Sequence, residues 1–140
     1  MKLTMARSLL VSLVATAPVI AHADNLIGVT RFLCASTLVT RCYEIGDCET
    51  GPPGLWNMPS FIEVDLTKKT LSTPAASAEQ RRTPFTHLTR ENGQVFIQGL
   101  ENARAFSLVV VEETGVATMA IALDGITVSA FAACTPVPKP

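Results

Sequence analysis

The side chains able to do chemistry are few and scattered. With a leader at 1–23 set aside, His87 is the only histidine, and a single histidine in a strand-like run is usually structural or solvent-facing. Glu63 and Asp65 alternate with Ile62, Val64 and Leu66, so both carboxylates project from one face of a strand, the wet one. Glu112 and Glu113 are neighbours in sequence, so their side chains diverge. None of Ser36, Ser60, Ser72, Ser77, Ser107 and Ser129 stands in a Gly-x-Ser-x-Gly elbow, and neither a phosphate-binding loop nor a dinucleotide fingerprint occurs. The expectation is a protein that is not an enzyme and takes no cofactor. Four residues suit binding instead. Trp56, the only tryptophan, lies in a Pro/Gly-rich loop, where an aromatic with one polar handle serves as an anchor; the alternative is a ring folded over the core as a plug. Arg81, Arg82 and Arg104 carry guanidinium forks that match carboxylate or phosphate; the alternative is a solvated rim paired with Glu44, Asp47 and Glu49.

Four cysteines, Cys34, Cys42, Cys48 and Cys134, all follow the leader. An even number in an exported chain predicts disulfides, with three connectivities open. Cys42 with Cys48 is favoured because Ile45-Gly46-Asp47 between them turns tightly, and Cys34 with Cys134 because it ties the first strand to the last. Zinc fits poorly, since the spacing lacks a Cys-x-x-Cys pair and His87 stands alone. No metal is expected.

The compartment comes from the N-terminus. Met1 to Ala23 holds Lys2 and Arg7, an apolar run from Leu9 to Ile20 and then Ala21-His22-Ala23, the pattern of a signal peptide cleaved before Asp24. The apolar run is too short to span a bilayer, and no later segment does so as a helix. The expected location is periplasmic or secreted. Cleavage removes Lys2 and Arg7, leaving 9 basic against 12 acidic residues and a net charge near −3. That balance argues against nucleic acid or an anionic membrane as partner. The remaining 117 residues make one domain over 24–135, with 136–140 as an extended, poorly ordered tail.

Residues that bind must be positioned by strands. Five strand-like runs, 83–90, 94–99, 104–111, 116–123 and 126–133, are punctuated at Asn92-Gly93, Asn102, Thr114-Gly115 and Asp124-Gly125. Asn-Gly and Asp-Gly accept positive φ at both centres of a type I′ turn and predict an antiparallel meander. Before them come a strand centred on 29–42 and a hairpin of 60–66 with 69–73, its tip near Lys68. Between these, Glu44 to Pro59 is too rich in glycine and proline to sustain a ladder, and 74–82 reads as loop. Eight strands in sequential hairpins predict an all-β, up-and-down antiparallel barrel with the first strand beside the last; the alternative is a two-sheet sandwich. Alternation then gathers 44–59, 74–82, 100–103 and Asp124-Gly125 at one end, which is where a site belongs. Inside, Phe106, Leu108 and Val110 are expected to face Thr118, Ala120 and Ala122, and Val128, Ala130 and Ala132.

Trp56-Asn57-Met58-Pro59-x-Phe61-Ile62-x-Val64-Asp65, Gln98-Gly99-x-Glu101-Asn102-x-Arg104-Ala105-Phe106, Glu113-Thr114-Gly115 and Ala133-Cys134-Thr135-Pro136 resemble a group of small exported bacterial proteins of unknown function, across most of the chain after the leader. In general form the chain is also similar to small periplasmic β-barrel inhibitors of lysozyme, a likeness of size, cysteines and strand pattern. The expected role is binding of a protein or cell-envelope ligand through the loops at one end. The rival expectations are a carrier of a small apolar ligand and, last, a hydrolytic enzyme built around His87.

Overall fold

The computed structural model describes residues 24–138; the leader at 1–23 and the last two residues of the tail lie outside them. The chain forms β1 (Arg31–Tyr43), β2 (Cys48–Gly51), β3 (Phe61–Asp65), β4 (Thr70–Ser72), β5 (Arg82–Pro84), β6 (His87–Glu91), β7 (Gln94–Glu101), β8 (Arg104–Val111), β9 (Val116–Leu123) and β10 (Ile126–Pro136), with one 3-10 turn at Pro53–Trp56. All ten strands belong to one antiparallel sheet in the order β5-β4-β3-β1-β10-β9-β8-β7-β6, with β2 paired to β1 off that path. The sheet curls into a barrel-like shell rather than two stacked layers.

The strand count is ten where eight are expected, for two reasons. The first is a break in 82–91 at Phe85 and Thr86, which separates β5, paired with β4, from β6, paired with β7. Phe85 is buried and donates its N–H to Lys69 O, while Thr86 donates to Gln98 O. The second is β2, which corrects the expectation of an unbroken loop over 44–59. Cys42 faces Cys48 and the ladder runs on to Val39 opposite Gly51; the Pro52-Pro53 pair that stops it comes only afterwards.

The first strand does lie beside the last. Cys34 faces Cys134, and both predicted disulfides form, Cys34–Cys134 and Cys42–Cys48. The tail begins later than expected, since Pro136 still pairs with Phe32 and Val137 donates to Arg31 O. Turn chemistry is partly as read. Asn92 and Gly93 both have positive φ, and so do Asn102 and Ala103, a type I′-like turn with no glycine; at Asp124-Gly125 only the glycine does.

One expected facing is wrong. On β9 the buried or half-buried residues are Ala117, Met119, Ile121 and Leu123, while Thr118, Ala120 and Ala122 are exposed. Directly opposed residues share a face, and Leu108 opposes Met119 as Phe106 opposes Ile121. The turn between β8 and β9 therefore sets the phase, and the small residues of β9 face outward. On β10, Val128, Ala130 and Ala132 are indeed the inward set.

β1 changes phase along its length. A bulge at the shift between Ser36 and Leu38 inserts one unmatched residue, Thr37, so Phe32 and Cys34 point inward before it and Val39, Arg41 and Tyr43 after it. The core under the sheet includes Phe32, Val64, Val95, Ile97, Leu108 and Val110 around the Cys34–Cys134 bridge. One end is sealed by the segment that enters β1. Leu26, 1 % exposed, drops into the core and donates its N–H to Glu112 O at 2.6 Å, and Arg90 pairs with Glu112 at 3.0 Å.

Candidate functional site

The opposite end carries the irregular loops. The 3-10 turn starts at Pro53, where a proline lacks nothing the helix needs, and ends at Asn57 in the left-handed region (φ 55°). That reversal directs Trp56, Asn57 and Met58 over the mouth of the shell. Two chambers open there. The first, about 120 Å³, is walled by Trp56, Met58, Ile62, Leu71, Phe106, Met119 and Ile121, with Arg81, Glu101 and Arg104 at its polar edge. The second, about 180 Å³, lies between Arg41, Trp56, Met58, Arg104, Ile121 and Val128. Trp56, Asn57, Met58, Arg104 and Ile121 are common to both.

Close packing shapes the first chamber. A Cβ added at Gly99 would sit 2.5 Å from Phe106 Cζ and 3.2 Å from the Phe85 backbone, so glycine lets the Phe106 ring lie flat over β7.

Three of the four expected binding residues meet at this end, in different conditions. Arg81 is occupied: it donates to Asn57 O at 2.8 Å and Asn57 Oδ1 at 2.9 Å, and its Nε lies 3.1 Å from Glu79 Oε2. It brackets the 74–82 loop to the loop bearing Trp56. Arg104 is exposed and takes part in none of the ion pairs among the described residues. Trp56 is half-buried, and its indole N–H is shielded from solvent with no acceptor.

Arg82 is not brought to them. On β5 it faces away from Thr83, which lines the first chamber, and into a groove with Arg31, Glu63, Asp65 and Lys68 that Arg81 also borders. There Arg31 contacts Glu63 at 2.6 Å; the hydrogen bond to Glu63 and then its charge raise the Arg31 guanidinium above its ordinary value. Asp65 holds the β3–β4 hairpin by accepting from Lys68 N at 2.8 Å. His87 is exposed, its Nδ1 3.3 Å from Thr86 Oγ1.

Arg41 is the residue that reading the sequence missed. Its guanidinium carbon stands 5.0 Å from the Tyr43 ring centroid and 5.7 Å from that of Trp56, within the range where a cation is attracted by an aromatic face. Its Nε is shielded and unbonded. The available signal was the alternation Val39-x-Arg41-x-Tyr43, and using it required knowing of the bulge at Thr37.

No family model matches this chain, and no curated protein matches it.

Proposed function

We propose that this chain is an exported binding protein that recognises a protein or cell-envelope ligand at its loop-bearing end. In this reading residues 82–91 act as a single bent strand and the shell as an eight-stranded barrel, because β5 and β6 end the strand order and are separated only by Phe85 and Thr86. The observation that carries the proposal is Trp56 set half-buried at the mouth between two chambers, with its N–H unmet. In the 44–59 segment and at the end of β7, Ile45, Leu55 and Leu100 stand 78 %, 62 % and 73 % exposed. An aromatic anchor with cations beside it is the composition that interface centres favour. The likeness to small exported barrel inhibitors is in keeping with it.

Carriage of a small apolar ligand is supported by one observation, the unfilled first chamber. Its 120 Å³ is close to a cavity of about 150 Å³ that holds a benzene and below the roughly 300 Å³ at which ligand pockets begin. The space suits one ring or side chain protruding from a larger ligand better than a whole lipid.

The test uses immobilised protein and a cell-envelope extract. The expected result is a component retained by the wild type and lost with Trp56→Ala and Arg104→Ala, while circular dichroism and both disulfides are unchanged. Retention indifferent to both substitutions ends the proposal.

A further inference from the structure

We infer that the second chamber is an oxyanion subsite, in which Arg41 and the indole N–H of Trp56 receive a carboxylate carried on a small apolar body. This deepens the recognition proposal and rests on it. The first support is charge. The residues around the second chamber include two guanidinium groups, Arg41 and Arg104, and no carboxylate, and neither arginine joins an ion pair among the described residues.

The second support is unmet hydrogen bonding. Arg41 Nε and Trp56 Nε1 are both shielded from water and both lack an acceptor. A buried donor left unbonded costs about 1–3 kcal/mol, and stacking on Tyr43 and Trp56 offsets only part of it, at about 0.5–1 kcal/mol per exposed cation–aromatic contact. Both atoms are closed to water, so a ligand oxygen accepts from them only when the Arg41 or Trp56 side chain turns toward the chamber, and the bonds then formed recover the difference. A carboxylate presents acceptors on two oxygens, and a guanidinium engages it as a planar fork.

The third support is the neighbouring wall. Ile121 lines both chambers, and beyond it Phe106 and Met119 line the first. Glu101, held by Thr83 Oγ1 at 2.6 Å, borders the first chamber and not the second. At the first chamber it offsets part of the charge of Arg81 and Arg104, whereas the second chamber has no such carboxylate, so the anion is favoured in the second and the apolar part in the first. A benzene-sized body with one carboxylate fits this division in size and polarity.

Such a carboxylate could belong to a free small acid or to the C-terminus of a polypeptide, and the test separates these. Trp56 is the only tryptophan, so its fluorescence reports on the subsite directly. The probes are benzoate, its neutral counterpart benzyl alcohol, and a short peptide ending in phenylalanine with a free or an amidated C-terminus. The expected result is a saturable change in emission with benzoate or the free-acid peptide. The matching neutral probe binds at least tenfold more weakly. Arg41→Met weakens carboxylate binding at least tenfold, and Arg41→Lys weakens it less than Arg41→Met does. Tighter binding of the peptide acid than of benzoate assigns the carboxylate to a chain end, and the reverse order to a small acid. Equal affinity for charged and neutral probes, equal affinity of wild type and Arg41→Met, or no saturable change with any carboxylate overturns the inference. If it falls while the envelope component is still retained through Trp56, the recognition proposal stands; if retention is lost as well, both fall.

Discussion

The two ends of this shell are built from the same kinds of residues and finished differently. At the end sealed by Leu26 the polar groups are satisfied: Leu26 N–H reaches Glu112 O, Cys134 N–H reaches Gly115 O, and the Glu112 carboxylate, largely buried, meets Arg90. At the end bearing Trp56, Arg41 and Trp56 keep shielded donors without acceptors, and Arg104 has no carboxylate partner among the described residues. At one end the buried polar groups are paired, as they are in a protein interior. The other keeps unmet donors, which the proposed recognition of a ligand would meet.

Substitutions can break this contrast or sharpen it, and the largest effect belongs to the bridge in the core. Replacing Cys34 and Cys134 together by alanine opens a closure spanning 100 residues and is expected to lower unfolding stability by about 4–5 kcal/mol, read by denaturant titration. Leu26→Ala comes next. It empties a site that is 1 % exposed and is expected to cost about 3 kcal/mol, with faster hydrogen exchange of the residue 26 and Cys134 amides, which donate to Glu112 O and Gly115 O. A loss below about 1 kcal/mol would show that Leu26 does not seal the end.

The bridge at the loop-bearing end, Cys42–Cys48, closes only 6 residues. Its removal is expected to cost about 2 kcal/mol, clearly less than the core bridge under the same titration. Gly99→Ala drives a methyl into the Phe106 ring and is expected to cost about 1–2 kcal/mol; the Phe106 ring resonances in an NMR spectrum should shift with it. Smallest is Arg41→Met, expected within about 1 kcal/mol of wild type, because the lost aromatic stacking is offset by removal of an unpaired half-buried charge. A loss of several kcal/mol there would make Arg41 a structural strut and erase the difference between the ends.

Much of the architecture was legible because its signals are local. Period-two alternation located β3, β7, β8 and β10, and Asn92-Gly93 announced its turn. The pairing of Cys34 with Cys134 followed from placing the first strand beside the last. The inward face of β9 was misread because alternation leaves two phases open, and small residues on both faces of 116–123 offered no contrast to choose between them. At the site, Trp56 and Arg104 stood out as large or charged residues next to turns. Arg81 was placed at the right end and its duty was not visible, since the partner it holds, Asn57, is 24 residues away. Arg82 faces away from the first chamber because its strand neighbour Thr83 lines it and adjacent strand residues point to opposite faces.

The amino-acid sequence by itself determined the all-β class, the hairpin order and the end at which the loops collect, because hydrophobic period, turn residues and loop length act over a few residues each. The facing of individual side chains at the mouth was decided only in the tertiary structure. Thr37 shows why. One unmatched residue in β1, opposite β10, exchanges the inner and outer faces of everything after it. That exchange turns Arg41 from the outside of the shell to the inside, beneath Trp56. Nothing in residues 31–43 read alone marks the bulge; it exists because β1 must pair with β10 on both sides of Thr37 while burying Cys34 at one point and Val39 at another.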